Sequence, residues 1–286
     1  LNQAHTQLDT TLISPHRPDG VVELLQITDT HLFADKDTNL LGIAPWHSCR
    51  AVVDAILEDE RACGAGRRDL VLATGDLSQD HSAASYRHFT DLMGELAPPV
   101  FWLPGNHDDA LLMQAELDQA GVSNAKHLLC GHWQILLLDT QIPGETHGAL
   151  SASQLALLEQ AIERYPDHHL LVAVHHQAVP VGCAWLDQHN LRNADDMRAI
   201  LAGHGASRVV LSGHVHQGFD EVHDGIRYLA SPSTCIQFKP LSDDFALDST
   251  APGWRALSLY PDGRLGTQVW RLPPYAFVPD FSAKGY

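Results

Sequence analysis

Leu24-Leu25-Gln26-Ile27-Thr28-Asp29-Thr30-His31 is an apolar, strand-type run that ends on a carboxylate and an imidazole. The same grammar recurs four more times. Leu70-Val71-Leu72-Ala73 runs into Gly75-Asp76, and Val100-Phe101-Trp102-Leu103 into Gly105-Asn106-His107-Asp108. Leu170-Leu171-Val172-Ala173-Val174 runs into His175-His176, and Val209-Val210-Leu211 into Gly213-His214-Val215-His216. In open α/β sheets, ligands bind beyond the carboxyl ends of the strands. Five such ends aim Asp, Asn and His at one crevice, the donor set expected of a site for two metal ions.

Outward from these runs, the intervening segments read as helices. Residues 48–61 carry Val52, Val53, Ile56 and Leu57 at helical spacing, and residues 82–96 carry Tyr86, Phe89, Leu92, Met93 and Leu96. Residues 110–120 form a third helix, ended by Gly121, and residues 134–138 a buried strand. A further helix opens at Ser151, an N-cap with Gln154 at the capping-box position. Another starts near Asn193 and ends at Gly203. After His216 the pattern changes to short strands at 219–222, 226–230, 234–238, 254–260 and 265–271. Asp224-Gly225 and Asp262-Gly263 mark hairpin turns between them, so the last third is expected to be antiparallel. The expected class is α/β with α+β character: two sheets face to face, helices outside, one domain over residues 21–272. Residues 1–20 and 273–286 are expected to be surface arms.

The 286 residues suit a single large core. With 35 acidic against 18 basic residues the formal charge is −17, and no Lys/Arg run offers phosphate contacts. A nucleic-acid polymer is therefore not the expected partner. A small phosphorylated substrate is not excluded, because bound cations reverse the sign of the local field. No apolar stretch is long enough to span a bilayer, and the first residues lack the basic and apolar regions of a signal peptide, so a cytoplasmic protein is expected. The cysteines (Cys49, Cys63, Cys130, Cys183 and Cys235) are odd in number and form no C-x-x-C pair. Reduced, buried thiols are the expected state.

Asp29 and His31 lie two apart at a strand exit, so both can reach one ion. Asp76 has two oxygens and can bridge two. Asn106 offers a carbonyl oxygen, and His175, His214 and His216 offer imidazoles. Hard oxygen with imidazole and no thiolate selects Mn, Fe, Co or Zn, and is too rich in nitrogen for Ca or a lone Mg. Histidines number 19 in this chain, so a single one carries little weight. His5, His16, His168, His169 and His204 are read as ordinary surface or core residues, and His81 and His88 as helix decoration.

Taken in order, the five motifs resemble the calcineurin-like metallophosphoesterase pattern over roughly residues 21 to 271. The resemblance implies a four-layer α-β-β-α sandwich. It assigns Asp29, His31, Asp76 and His216 to one ion, and Asp76, Asn106, His175 and His214 to the other. Strand alternation sends adjacent side chains to opposite faces, and the family match then favours His175 over His176 as the ligand. Three stretches are similar to the bacterial 3′,5′-cyclic-AMP phosphodiesterase branch: residues 26–33, 184–189 and 232–240, the last two of which carry no ligands. Ala251-Pro252-Gly253-Trp254-Arg255 is similar as well. One departure is Gln177-Ala178, where related chains often carry a further His and a Pro.

The implied activity is hydrolysis of the cyclic AMP phosphodiester to AMP by a hydroxide shared between two ions, Fe and/or Mn with Zn and Co as alternatives. His107, beside a ligand without being required as one, is the expected general acid for the leaving oxygen. Asp108 is expected either to orient His107 or to cap the helix at 110–120. His31, Asp76, Asn106, His107 and His216 should lie within reach of a bound nucleotide phosphate. Trp185, His189, Arg192 and Asn193 are candidates for holding the base, with loop packing an equal reading of Trp185. Gln237, Phe238 and Lys239 should act on the non-reacting part of the substrate or on the loop that shapes its pocket. The competing substrates are a nucleotide pyrophosphate and a non-nucleotide diester. A non-catalytic module of this fold should lack ligands or the His of Gly-Asn-His, and this chain has them all.

Overall fold

The computed structural model describes residues 8–63, 68–96 and 98–285, with backbone alone at 62 and 63. The first seven residues of the expected N-terminal arm and the Cys63 side chain lie outside the described residues. In chain order the elements are β1 (Thr10–Ile13), β2 (Val22–Ile27), α1 (Pro45–Cys63), β3 (Leu70–Ala73), α2 (Ala83–Gly94), β4 (Val100–Trp102) and α3 (Ala110–Gln119). Then come β5 (His127–Cys130), β6 (Trp133–Leu137), α4 (Ala152–Arg164), β7 (His169–Ala173), a 3-10 turn (Leu186–His189), α5 (Ala194–Ala202) and β8 (Arg208–Ser212). Two hairpins finish the fold: β9 (Phe219–His223) with β10 (Ile226–Ala230), and β11 (Gly253–Leu259) with β12 (Leu265–Arg271).

The strands form a seven-stranded sheet in the order β1-β5-β6-β7-β8-β10-β9 and a five-stranded sheet in the order β12-β11-β2-β3-β4. Every residue of β2, β3 and β4 is buried, which is why these strands read as continuous apolar runs. Alternation sorts their side chains into layers. Leu24, Leu70 and Leu72 face Ile135, Leu171 and Leu211 of the other sheet and form the central core. Leu25, Ile27, Val71 and Ala73 face outward onto Val52, Phe89 and Met113 of α1, α2 and α3. On the far side, Leu170 and Val172 meet Leu158 of α4 and Met197 of α5. The result is the expected four-layer α-β-β-α sandwich. Each fully buried Leu or Val in it contributes about 1.5–3 kcal/mol.

β2, β3 and β4 are parallel, as are β6, β7 and β8, so their carboxyl ends can share one rim. The structure corrects the expected organisation at four places. Residues 10–13 are not a surface arm; they pair with β5 and form the edge of the larger sheet. The last third is not one antiparallel unit. β10 runs parallel to β8 while β9 runs antiparallel to β10, and the β11–β12 hairpin joins the other sheet beside β2. Residues 234–238 are a loop held by one bridge between Phe238 and Leu247, not a strand. The C-terminal segment lies against the body: the Asp280 N–H donates to Leu41 O (2.7 Å) and Phe277 packs on the core.

Candidate metal centre

The strand ends meet as the sequence motifs imply. Asp29, His31 and His216 form one buried donor group, and Asp29, Asp76 and His175 an overlapping one. His216 Nε2 lies 3.3 Å from Asp29 Oδ1 and 3.2 Å from His31 Nε2. His175 Nε2 lies 3.3 Å from Asp76 Oδ2 and 3.1 Å from Asn106 Oδ1. Asp76 Oδ2 is also 3.9 Å from His31 Nε2, so one carboxylate stands between the two groups. Two donors each about 2.1 Å from a common ion are separated by about 3.0–3.4 Å, so the four spacings of 3.1–3.3 Å fit metal coordination, while the His31–Asp76 pair at 3.9 Å is wider. Two buried imidazole nitrogens 3.2 Å apart also need a proton or a cation between them. The donor set therefore fits two cations of the transition-metal type.

The backbone at the rim is unusual. Asp29, His31, Asp76, His214 and His216 all have left-handed φ, between 47° and 65°. Their conformations are held by hydrogen bonds from Asp29 N–H to Gly75 O (3.0 Å), His31 N–H to Asp76 O (2.9 Å) and Ser233 Oγ to Asp29 O (2.6 Å). Gly105 is required by contact. A Cβ there would meet Asp76 Oδ1, the Asp76 nitrogen and the His175 ring.

Three of the imidazoles have their outer nitrogen fixed. His31 Nδ1 donates to Gln79 Oε1 (2.7 Å), His175 Nδ1 to Thr74 O (2.8 Å) and His216 Nδ1 to Ile236 O (2.9 Å). Each such bond chooses the tautomer and turns Nε2 inward. Electrostatics agree with the geometry. Burial alone would raise the carboxyl of Asp76, but the imidazoles of His175 and His107 outweigh it and hold it well below the usual range. Burial alone would lower His175, but Asp76 pushes it up to about 9. It therefore carries two N–H groups, one to Thr74 O and one to Asn106 Oδ1. A cation would take the place of that inner proton. Burial drops His31 to about 3, leaving it a neutral ligand.

His107 sits beside the cluster without joining either donor group. Its N–H donates to Asp76 Oδ1 (2.8 Å) and its ring packs edge-on to His31 at 5.2 Å. Asp108 takes neither of its expected roles directly. The α3 cap is Asp109, which accepts from Leu111 N–H and Leu112 N–H. The Asp108 carboxylate instead accepts from the N–H groups of Leu77, Ser78 and Gly105 and from the Tyr86 hydroxyl. It clamps the turn carrying Asp76 to the turn carrying Asn106. Burial and the charge of Asp76 push its carboxyl up to about 7.

A cavity of about 240 Å³ opens beside the centre, lined among others by Asn106, His107, Trp185, His189, His214 and Phe238. Two of the four base-holding candidates thus line it. Arg192 and Asn193 do not: Arg192 donates to Gln188 O, and the Asn193 side chain ties down the backbone of Leu150. Phe238 stacks on His216, with centroids 4.3 Å apart. Gln237 is buried and donates to the carbonyls of Ser233, Cys235 and Ile236, bracing the loop whose Ile236 carbonyl holds His216. Sequence reasoning missed Gln79, Thr140 and Ser233, whose roles depend on partners far along the chain; only Gln79, three residues past Asp76, lay close enough to a motif to be suspected.

Comparison with known proteins agrees with this geometry. A model of the calcineurin-like phosphoesterase family matches residues 22–218. The chain is 46% identical over 280 residues to the 3′,5′-cyclic adenosine monophosphate phosphodiesterase CpdA of Escherichia coli K12, covering 98% of this chain and 100% of that one. It is 42% identical to CpdA of Pseudomonas aeruginosa over 268 residues, 94% of this chain and 96% of the relative. A 3′,5′-cyclic-nucleotide phosphodiesterase of Nostoc is 37% identical over 252 residues, 88% and 93% of the two chains. Among solved structures, a dimetal phosphatase from Danio rerio shares the fold with a TM-score of 0.54 at 15% identity, covering 88% of this chain and 99% of its own.

Proposed function

The chain belongs to the calcineurin-like phosphoesterase family, and within it we propose that this protein hydrolyses the phosphodiester of 3′,5′-cyclic AMP to AMP. The observation that carries the proposal is the full donor set around Asp76 in a chain 46% identical to a cyclic AMP phosphodiesterase along its length. Asp29, His31, Asp76 and His216 would hold one ion, and Asp76, Asn106, His175 and His214 the other. We propose Fe and/or Mn as the ions, on the hard-oxygen and imidazole donor set. Once bound, they supply a nucleophile from water near neutral pH and neutralise charge on the phosphoryl oxygens.

The protein's own groups do the rest. His107, held by its backbone on Asp76 and lining the cavity, gives a proton to the leaving ribose oxygen. Asn106 and His31 bound the phosphate on the side of the ions. The nucleobase enters the cavity between Trp185, Phe238 and Phe245, whose rings supply a stacking wall. His189, pinned through Nδ1 to the Thr146 hydroxyl at 2.8 Å, leaves Nε2 for a base edge. A cytoplasmic location suits the substrate and the thiols: Cys49, Cys130, Cys183 and Cys235 are free and buried.

The test is direct. The purified protein is stripped with chelator, reloaded with Mn or Fe, and assayed for AMP release from cyclic AMP beside a nucleotide pyrophosphate, an aryl phosphodiester and a phosphomonoester. Cyclic AMP should be cleaved well above the monoester, and only after metal is restored. Cleavage of the aryl diester or the pyrophosphate with cyclic AMP untouched would overturn the substrate assignment.

A further inference from the structure

His214 differs from the other ligand imidazoles. His31, His175 and His216 each pass an outer N–H to a protein acceptor, whereas His214 Nε2 is buried with no partner. One other imidazole nitrogen at the rim shares this state: Nε2 of His176, a residue fully closed to solvent. The two rings are adjacent, with centroids 4.8 Å apart and planes inclined at 49°. Nitrogens of His175, His176 and His214 lie within 4.8 Å of one another. In this structure the two nitrogens do not hydrogen-bond to each other, and two neighbouring buried polar atoms without partners are a costly arrangement unless they pair when the site is filled.

We propose that His176, which is not in the expected ligand set, is the acceptor that positions His214. A ligating imidazole is neutral, so one nitrogen faces the ion and the other carries a proton that needs an acceptor. With Nε2 of His214 buried beside His176, Nδ1 is the nitrogen left for the ion. His176 is built to accept. Its Nδ1 lies 2.7 Å from the Thr140 hydroxyl, and when that nitrogen donates to Thr140 the Nε2 lone pair is left for His214. The ring has no freedom to turn away. Gly148 packs so closely that a Cβ there would collide with His176 Nδ1 and Cγ, and the Gly148 backbone is itself pinned by Asn190 O and the Arg192 N–H. The loop over residues 140–148 thus acts on the metal centre through one imidazole.

The inference rests on His214 being a ligand, and its test separates the two statements. Mn²⁺ binding by the full-length protein is measured by equilibrium dialysis with elemental analysis, and Co²⁺ absorption reports the geometry of the centre. In His176→Gln the amide oxygen can reach the place of Nε2. In His176→Asn the polar atom takes the place of Nδ1 instead, and His176→Leu offers neither. The Asn and Leu variants should bind the second ion about 10–100-fold more weakly with the first ion unchanged, whereas Gln should stay near wild type. Thr140→Val, a milder change, should shift the second ion in the same direction by less. Unchanged affinities for both ions in the Leu, Asn and Thr140→Val proteins would overturn the positioning role. So would a Gln variant as impaired as Leu, since packing alone would then explain the loss. A wild-type protein that binds fewer than two ions would instead sink the ligand assignment itself.

Discussion

At the residue scale, the cost of the site is visible in its backbone. A left-handed conformation costs a non-glycine residue about 1–2 kcal/mol, and five donors adopt it here. Strain of this kind persists only where surrounding bonds over-determine it, as Gly75 O, Asp76 O and the Ser233 hydroxyl do. Asp76→Ala should remove activity and most of both ions, because the carboxylate between the two groups is lost; elemental analysis showing two ions at full occupancy would end the bridging role. Gly105→Ala should do nearly the same without replacing a donor, since the new Cβ would strike Asp76 and His175. His107→Asn should behave differently. Turnover of cyclic AMP should fall about 10²–10⁴-fold while both ions stay bound. Normal turnover would exclude the acid role, and lost metal would make His107 a ligand.

At the element scale, neighbouring acids after β4 take separate roles, and the cap expected of Asp108 falls to Asp109. Asp109 caps α3, so Asp109→Ala should cost about 1 kcal/mol in urea unfolding, with the slope unchanged. Asp108→Ala should cost more, because it orphans the N–H groups of Leu77, Ser78 and Gly105, each worth about 1–3 kcal/mol when buried and unpaired. Equal losses in the two variants would mean that the clamp is not needed for stability. The C-terminal segment is the other element with an unexpected position. Gly285 lines the cavity beside Trp185, and Ala283 packs against the same loop cluster. Ending the chain after Ala283 should open the cavity and raise KM for cyclic AMP with metal content preserved. An unchanged KM would remove the segment from the pocket wall.

At the scale of the whole molecule, a buried polar bridge joins the two sheets under the centre. Arg255 on β11 donates to Thr267 Oγ1 on β12 within its own sheet, and to Ser231 Oγ, Ala230 O and Phe219 O at the ends of β10 and β9 in the other. Gln26 on β2 accepts from Ser231 and donates to Thr74 Oγ1 (2.8 Å) and Ser212 O (2.9 Å). Arg255→Met should lower stability by about 2–4 kcal/mol, since two carbonyls lose their donor, and should weaken metal binding by loosening strand ends that carry ligands. A urea midpoint matching wild type would show the bridge to be dispensable. The sequence alone pointed to the candidate donors, the helices and two sheets face to face, because these follow from residue type and from periodicities spanning a few residues, and its family resemblance implied the four layers. Leu24-Leu25-Gln26-Ile27 reads as a strand buried on both faces wherever it is placed, and Asp, Asn and His at five strand ends are metal chemistry before any fold is known. Only the tertiary structure decided that residues 10–13 close one sheet, that the two last hairpins part between sheets, and that Asp108 clamps while Asp109 caps. It alone decided which nitrogen of each histidine turns inward. Those outcomes depend on hydrogen bonds between groups far apart in the chain, such as Ser233 with Asp29 and His175 with Thr74. A donor's chemistry travels with its residue, but its partner is fixed only when the sheets have packed.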